Sequence, residues 1–207
     1  MNEHRIDGED SLAWTRKWTR DEYIQKKRDN FEKVDAYINR PIKNILDIGC
    51  GFAWESRFFQ QKYNCELFLI DGDNTDNLKK PGTASYGNWN TTPDELLYYH
   101  SLDYLDSQLK SLGTKNYRLI DSNNINIPED MKFDLITSWL SCGHHYPVSV
   151  YKDLMLKHSH ENTKIILDVR AKGTSDNFIG VEGFEILNVI IPRGKKRSTV
   201  EIKLLKD

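Results

Sequence analysis

The chain has little of several things, and each shortage excludes a class of protein. Nowhere in its 207 residues does an apolar stretch approach the ~20 that a membrane span requires. The first thirty residues are dense in charge, so no secretory apolar core can be drawn there. Cysteine is scarce: Cys50, Cys65 and Cys142 are too few and too scattered for a disulfide framework. Cys50 and Cys65, in apolar or glycine-turn contexts, read as small buried thiols. A surplus of either charge is lacking too, since the formal net charge of −2 gives no concentrated basic face for duplex nucleic acid. The one basic run, "RGKKR" at 193–197, reads first as a solvated hairpin turn. No internal repeat, low-complexity tract or linker invites a cut. What remains is a soluble protein of a reducing cytoplasm, long enough for one well-covered core and short for two.

What is present is an alternation of periods. Residues 21–38 carry Tyr23, Ile24, Phe31, Val34 and Ile38 at spacings that suit an amphipathic helix, stopped before Pro41. "NILDIG" is a short apolar strand running into glycines, and 54–62 has helical character. "CELFLID" (65–71) is a second strand, "YRLID" (117–121) a third, "FDLITSW" (133–139) a fourth and "KIILDV" (164–169) a fifth. Between them, 93–112 carries leucines at helical spacing closed by Gly113, and 148–157 is a shorter helix. Residues 71–92, rich in Gly, Asn, Asp and Thr, read as a long functional loop. The end switches to a hairpin, "FEILNVIIP" and "STVEIKLL" flanking the basic turn. Strand–helix alternation with a terminal hairpin predicts an α/β sandwich whose mostly parallel sheet holds one antiparallel strand.

In open α/β sheets ligands sit at the carboxyl ends of the strands, so the turn after the first strand is where a cofactor belongs. There the chain reads "NILDIGCGFAW" (44–54). Gly49 and Gly51 allow backbone angles closed to other residues and a close ligand approach. A dinucleotide fingerprint wants a third glycine where Trp54 stands, and an indole is incompatible with that packing. Asp47, two residues ahead of Gly49, would repel a pyrophosphate and favour a ligand bearing an ammonium group. S-adenosylmethionine is such a ligand.

"LDIGCGFA" resembles motif I of the class I S-adenosylmethionine-dependent methyltransferases, with Ala53 in place of its last glycine. The resemblance covers roughly 42–205 and implies a Rossmann-like sandwich: a seven-stranded, mostly parallel sheet with an antiparallel last strand and helices on both faces. It divides the chain into an N-terminal helical extension or lid (1–40), with Trp14, Trp18, Glu22 and Tyr23, and a methyltransferase domain (41–207). It implies a cofactor set of Asp47, Gly49, Cys50 and Gly51, then Asp71 (with Gly72, and Asp73 as the alternative acid) for the ribose, Asp121 with Ser122 for the adenine, and Ser138 at the fourth strand's end. A carboxylate suits the ribose because it accepts two hydrogen bonds and has no proton to give.

The acceptor is expected beyond the fourth strand, where "TSWLSCGHHYPVSVY" (137–151) is dense in His and aromatics. His144 and His145 are the candidate general bases, with neither preferred, and Tyr146 could position the acceptor. A metal at Cys142, His144 and His145 lacks a second pair at zinc spacing, and Asp168 with Asn177 fits a metal-dependent pattern only loosely. No nucleic-acid amino-methyltransferase motif is present here. Residues 86–113 with 138–151 also resemble, loosely, a group of bacterial and phage-type enzymes described as sugar or small-molecule O-methyltransferases, in which Trp89 and Trp139 would flank a polar ring. The expected function is methyl transfer to a hydroxyl of a small polar molecule such as a sugar, with a loop histidine as general base; the alternatives are N-methylation of a small molecule and a non-catalytic cofactor-binding partner protein.

Overall fold

The computed structural model describes residues 16–73, 100–171, 178–194 and 197–205. Its sheet has seven strands: β1 (Asn44–Ile48), β2 (Glu66–Asp71), β3 (Tyr117–Asp121), β4 (Leu135–Ser138), β5 (Lys164–Arg170), β6 (Phe184–Pro192) and β7 (Arg197–Leu204), in the order β3-β2-β1-β4-β5-β7-β6. The first five pair in parallel; β7 slots between β5 and β6 and runs antiparallel to both. The expected architecture is therefore present, antiparallel strand included. The order reverses beside β1, so the switch between β1 and β4 lies directly above the glycine turn.

The helices are α1 (Asp21–Ile38), α2 (Trp54–Tyr63), α3 (Leu102–Ser111) and α4 (Lys152–His158), with 3₁₀ turns at Arg16–Thr19 and Val148–Tyr151. Period-two alternation divides the core between the sheet's two faces. Ile45, Leu67, Leu69, Leu135 and Ile166 meet Phe31 and Val34 of α1, Phe58 and Phe59 of α2, and Leu105 and Leu109 of α3. Leu46, Ile48, Phe68, Ile70, Ile136 and Leu167 face the other way, against Met155 of α4. Asp47 thus falls on the α1–α2 face, with Ser56 and the buried Lys27–Glu55 pair near it.

Three boundaries differ from expectation, each for a local reason. The helix expected over 93–112 is described only from its start at Leu102, because the Ser101 hydroxyl caps it, accepting from the Tyr104 amide at 3.1 Å. The helix expected over 148–157 opens as a 3₁₀ turn behind Pro147, with β-branched Val148 and Val150 in it. The fourth strand is shorter at both ends than 133–139. Most of the loop over 71–92, Trp14, Trp89 and Asn177 lie outside the described residues.

One polar link ties the N-terminal helix to the motif-bearing one. Lys27 donates to Glu55 Oε1 at 2.9 Å, Asn30 donates to the same oxygen at 2.9 Å, and all three side chains are buried. Such a pair is a weak source of net stability when intact but costly to break, because one charge is left without its partner. Lys27→Met is accordingly expected to cost about 3 kcal/mol or more in urea unfolding, and the double variant Lys27→Met/Glu55→Gln to recover much of that loss.

Candidate functional site

The turn after β1 is shaped by β2. The amides of Gly49 and Cys50 both donate to Ile70 O, at 2.8 and 3.0 Å, and the Gly51 amide donates to Asp71 Oδ2 at 2.7 Å. Gly49 and Gly51 take φ of 67° and 50°, and Ala53, in the last glycine's place, takes 48°. The glycines are also needed for space. A Cβ on Gly49 would lie 1.9 Å from Ser141 Oγ, and one on Gly51 would meet the Trp18 indole at 3.3 Å. With three amides of the turn turned inward, the cradle that a pyrophosphate would need is already in use.

The acids of the first three strand ends are placed differently from one another. Asp71 and Asp121 are register partners on β2 and β3, both half-buried at the carboxyl edge of the sheet. Asp71 accepts from the amides of Gly51 and, at 2.8 Å, Gly72, and the Cys50 thiol lies 3.8 Å from it. Asp121 Oδ1 accepts from the Asn123 amide at 2.8 Å, and the Ser122 amide donates to Asp71 O at 2.8 Å. Asp73 Oδ2 reaches the Leu102 amide at 3.4 Å and so sits by the start of α3.

Asp47 stands below the turn instead of on it. It is fully buried; the Ser56 hydroxyl donates to Oδ2 at 2.6 Å, while Oδ1 has no hydrogen-bond partner. Burial pushes its pKa up to about 7, with Glu55 nearby adding to the rise. An unpartnered carboxylate oxygen in a buried position is the feature that an incoming ammonium group would satisfy. Ser138, expected in the cofactor set, lies at the end of β4. Its fully buried hydroxyl donates to Ile48 O at 2.6 Å and accepts from the Cys142 amide at 2.8 Å, so it ties the β4 exit to β1.

The loop leaving β4 folds back over the turn. The Gly143 amide donates to Tyr146 O, and the Arg170 amide to Gly143 O, which pins the loop to β5. Tyr146 is buried, with its hydroxyl 2.8 Å from Ser141 Oγ and so close above Gly49; burial raises its pKa well above the usual phenol value, leaving it a neutral hydrogen-bonding group. The rings of His144 and His145 meet edge-on at 4.9 Å. Burial, with Arg170 and Arg197 nearby, holds His144 down at about 4, and burial beside His144 and the same arginines takes His145 well below the usual imidazole value. Both are neutral at physiological pH but bind a proton weakly. Trp139 belongs to the buried cluster that includes Ile166 and Ile191. Among the described residues no group of three His, Cys, Asp or Glu side chains could hold a metal ion.

The N-terminal segment reaches the same place. The Trp54 indole donates to Trp18 O at 2.9 Å, and Trp18 stacks edge-on against Phe52 at 5.3 Å, over Gly51. Trp54 thus holds the segment that covers the turn. Farther along, Tyr23, Lys26, Lys27 and Asn30 of α1 line a pocket of about 90 Å³ with Leu140, Asp168, Arg193 and Arg197. The two arginines of the basic run are therefore not a freely solvated turn. Arg193 contacts Thr199 Oγ1 at 3.2 Å and Asp168 at 3.7 Å, and Arg197 is half-buried beside them. The sequence reading passes over this pocket, although the polar face Tyr23, Lys27, Asn30 (i, i+4, i+7) and the "RGKKR" run both belong to it.

No protein-family model matches the sequence, and no curated protein is significantly similar to it. Solved structures do match in shape. A SAM-dependent methyltransferase from Aquifex aeolicus superposes with a TM-score of 0.60 at 14% identity, over 97% of this chain and 100% of that one. The chain has the class I methyltransferase fold. A mutant of MtNAS crystallised with S-adenosylmethionine matches with a TM-score of 0.55 at 13% identity, over 96% of this chain and 70% of that one. A S-adenosylmethionine-dependent methyltransferase from Clostridium acetobutylicum gives 0.52 at 14% identity, over 87% and 92%.

The buried Asp47 makes stability pH-dependent with a definite sign. An unfolded aspartate titrates near ~4 and the folded one near 7, so between these values the folded state holds the proton more tightly and stability falls as pH rises, levelling above about 7. His144, lowered to about 4, works oppositely, adding stability as pH climbs from about 4 towards ~6.5. The difference between wild type and Asp47→Asn isolates the first effect: in urea unfolding across this range the variant is expected to gain on the wild type steadily as pH rises to about 7 and then to keep a constant margin.

Proposed function

We propose that the chain binds S-adenosylmethionine over the Gly49–Ala53 turn and transfers its methyl group to a small polar acceptor. The observation that carries this reading is the Asp71 carboxylate, at the end of β2, with one oxygen closing the Gly51 amide and Asp121 beside it in register. Asp71 retains lone pairs for two ribose hydroxyls, and Asp121 for the adenine amino group. Gly72, Asp73 and Ser122 complete the rim around these acids. Asp47 Oδ1 is the acceptor for the amino-acid ammonium, with Gly49, Cys50 and Gly51 permitting close approach of main chain. The methyltransferase fold and the complex of MtNAS with S-adenosylmethionine support the same cofactor. A nicotinamide dinucleotide is disfavoured by the amides of the turn, which are spent on Ile70 and Asp71.

The cofactor, when bound, supplies a methyl group on a sulfonium that is already a strong electrophile. The chain's own part is to align the acceptor, keep water out and manage any proton. Trp18, held by Trp54 over Gly51, serves as the cover. Tyr146, in hydrogen bond with Ser141 above Gly49, positions the acceptor. Removing a hydroxyl proton is a harder demand, because an imidazole at about 4 is a weak base. A sugar hydroxyl activated by His144 or His145 is therefore the weaker form of the reading, and an acceptor whose nucleophile needs no strong base, such as an amine or an oxyanion, is the stronger one.

Calorimetry with S-adenosylhomocysteine should show saturable binding to the wild type and at least a tenfold weaker constant for Asp71→Asn, which keeps an acceptor for the Gly51 amide but turns the other oxygen into a donor. No binding by the wild type, or an unchanged constant in the variant, removes the cofactor assignment. Methyl transfer to a panel of small amines, acids and sugars then separates an enzyme from a non-catalytic binder, which would bind without turnover.

A further inference from the structure

Resting on the methyl-transfer reading, we propose that the acceptor carries an oxyanion, a carboxylate or a phosphate, held by Arg197 and Lys26 in the pocket between α1 and the β6–β7 hairpin. Four cationic side chains line that pocket against a single carboxylate, so its charge is unbalanced. The balance can be followed residue by residue. Lys27 is matched by Glu55 at 2.9 Å. Asp168 is fully buried, accepts from Thr199 Oγ1 at 2.5 Å, lies 3.7 Å from Arg193 Nε and also acts on Arg197. One carboxylate thus serves both arginines, and with half-buried Arg197 and exposed Lys26 the pocket keeps positive charge in excess.

A half-buried guanidinium has lost part of its hydration in the free protein already. An anion reaching it gains the Coulomb attraction without that desolvation being incurred again. The planar fork of Arg197 suits the two oxygens of a carboxylate or phosphate, and Lys26 adds a mobile point charge.

The pocket's position fits an acceptor site. Leu140 lines it at φ 62°, a left-handed conformation that costs a branched side chain of this kind about 1 kcal/mol and that clusters at functional sites. The next residue, Ser141, is the one whose hydroxyl overlies Gly49. At about 90 Å³ the pocket takes a head group and not a whole metabolite, which leaves the rest of an anchored molecule outside it, where Leu140 leads to Ser141 over the turn. Attraction between an anionic acceptor and a cationic cofactor adds to the effect.

The test titrates wild type, Arg197→Met, Arg197→Lys, Lys26→Met and the control Lys33→Met with inorganic phosphate and with malonate at constant ionic strength, by calorimetry, each with and without S-adenosylhomocysteine. Saturable binding of either anion to wild type and Lys33→Met, weakened at least tenfold in Arg197→Met and less in Arg197→Lys and Lys26→Met, supports the pocket; whichever anion binds names the head group. Binding of neither anion, or equal binding by Arg197→Met, overturns it. The S-adenosylhomocysteine arm keeps the two readings apart. Anion binding that depends on Arg197 in a wild type that does not bind S-adenosylhomocysteine overturns the acceptor role, whereas intact S-adenosylhomocysteine binding without anion binding overturns the pocket alone and shows that the variants fold.

Discussion

The closure of the β1 turn onto the end of β2 is the constraint on which the rest of the site depends. Three consecutive amides, those of Gly49, Cys50 and Gly51, point at Ile70 O and the Asp71 carboxylate. A glycine turn normally offers its N–H groups outward and so favours anions. Here they are spent inward, and what faces a ligand is a carboxylate edge. The polarity of the site is inverted relative to a phosphate loop by a handful of hydrogen bonds. Asp71 is central because it does both jobs: one oxygen fixes the turn, while its remaining lone pairs are turned to whatever lies above.

The inversion extends across the sheet. Asp47, Asp71 and Asp121 belong to β1, β2 and β3, while Arg193 and Arg197 come from the hairpin that carries β7 next to β5. The hairpin is what makes this possible: β6 carries the chain to the carboxyl edge of the sheet and the antiparallel β7 starts from it, so the basic turn lies at the same edge as the acids. In the proposed reading a cationic cofactor meets the acidic half and an anionic acceptor the basic half. Lys27 and Glu55 mark the seam, a buried pair whose field reaches Asp47. Unlike charges of this kind in a partly desolvated space interact more strongly than in water, so the division influences which molecules enter and how they are oriented.

The fold was legible in the sequence because its signals are short-range and redundant. Strand periods, a helix stop before Pro41, and acids at strand ends are each written within a few residues, and the bounds of α1 and β3 agree with the structure to the residue. The glycine turn was legible for the same reason. Burial was not. Ser138 reads as a polar residue at a strand end, yet the backbone of β1 and the loop amide of Cys142 consume its hydroxyl. The histidine pair reads as a neutral-pH base, yet packing and two arginines distant in sequence depress both imidazoles. The basic run reads as solvent-facing because nothing local tells that Asp168 and Thr199 wait beneath Arg193. What escaped is in each case a long-range contact.

The loop after β4 joins the two halves. Its first residues, Trp139 and Leu140, belong to the core and to the basic pocket; its next, Ser141, touches the glycine turn; and Tyr146 closes the loop through Ser141. It is anchored at both ends, to β1 through Ser138 and to β5 through Gly143, where a Cβ would come within 3.1 Å of Asp168 O. A loop so pinned cannot move towards one ligand without moving against the other. The positive φ of Leu140 lies between the two anchors, one residue before the Ser141 that overlies Gly49. In the proposed reading, where the acceptor's nucleophile arrives without a proton to lose, the remaining requirement is alignment, and alignment is what a loop fastened to both halves would supply.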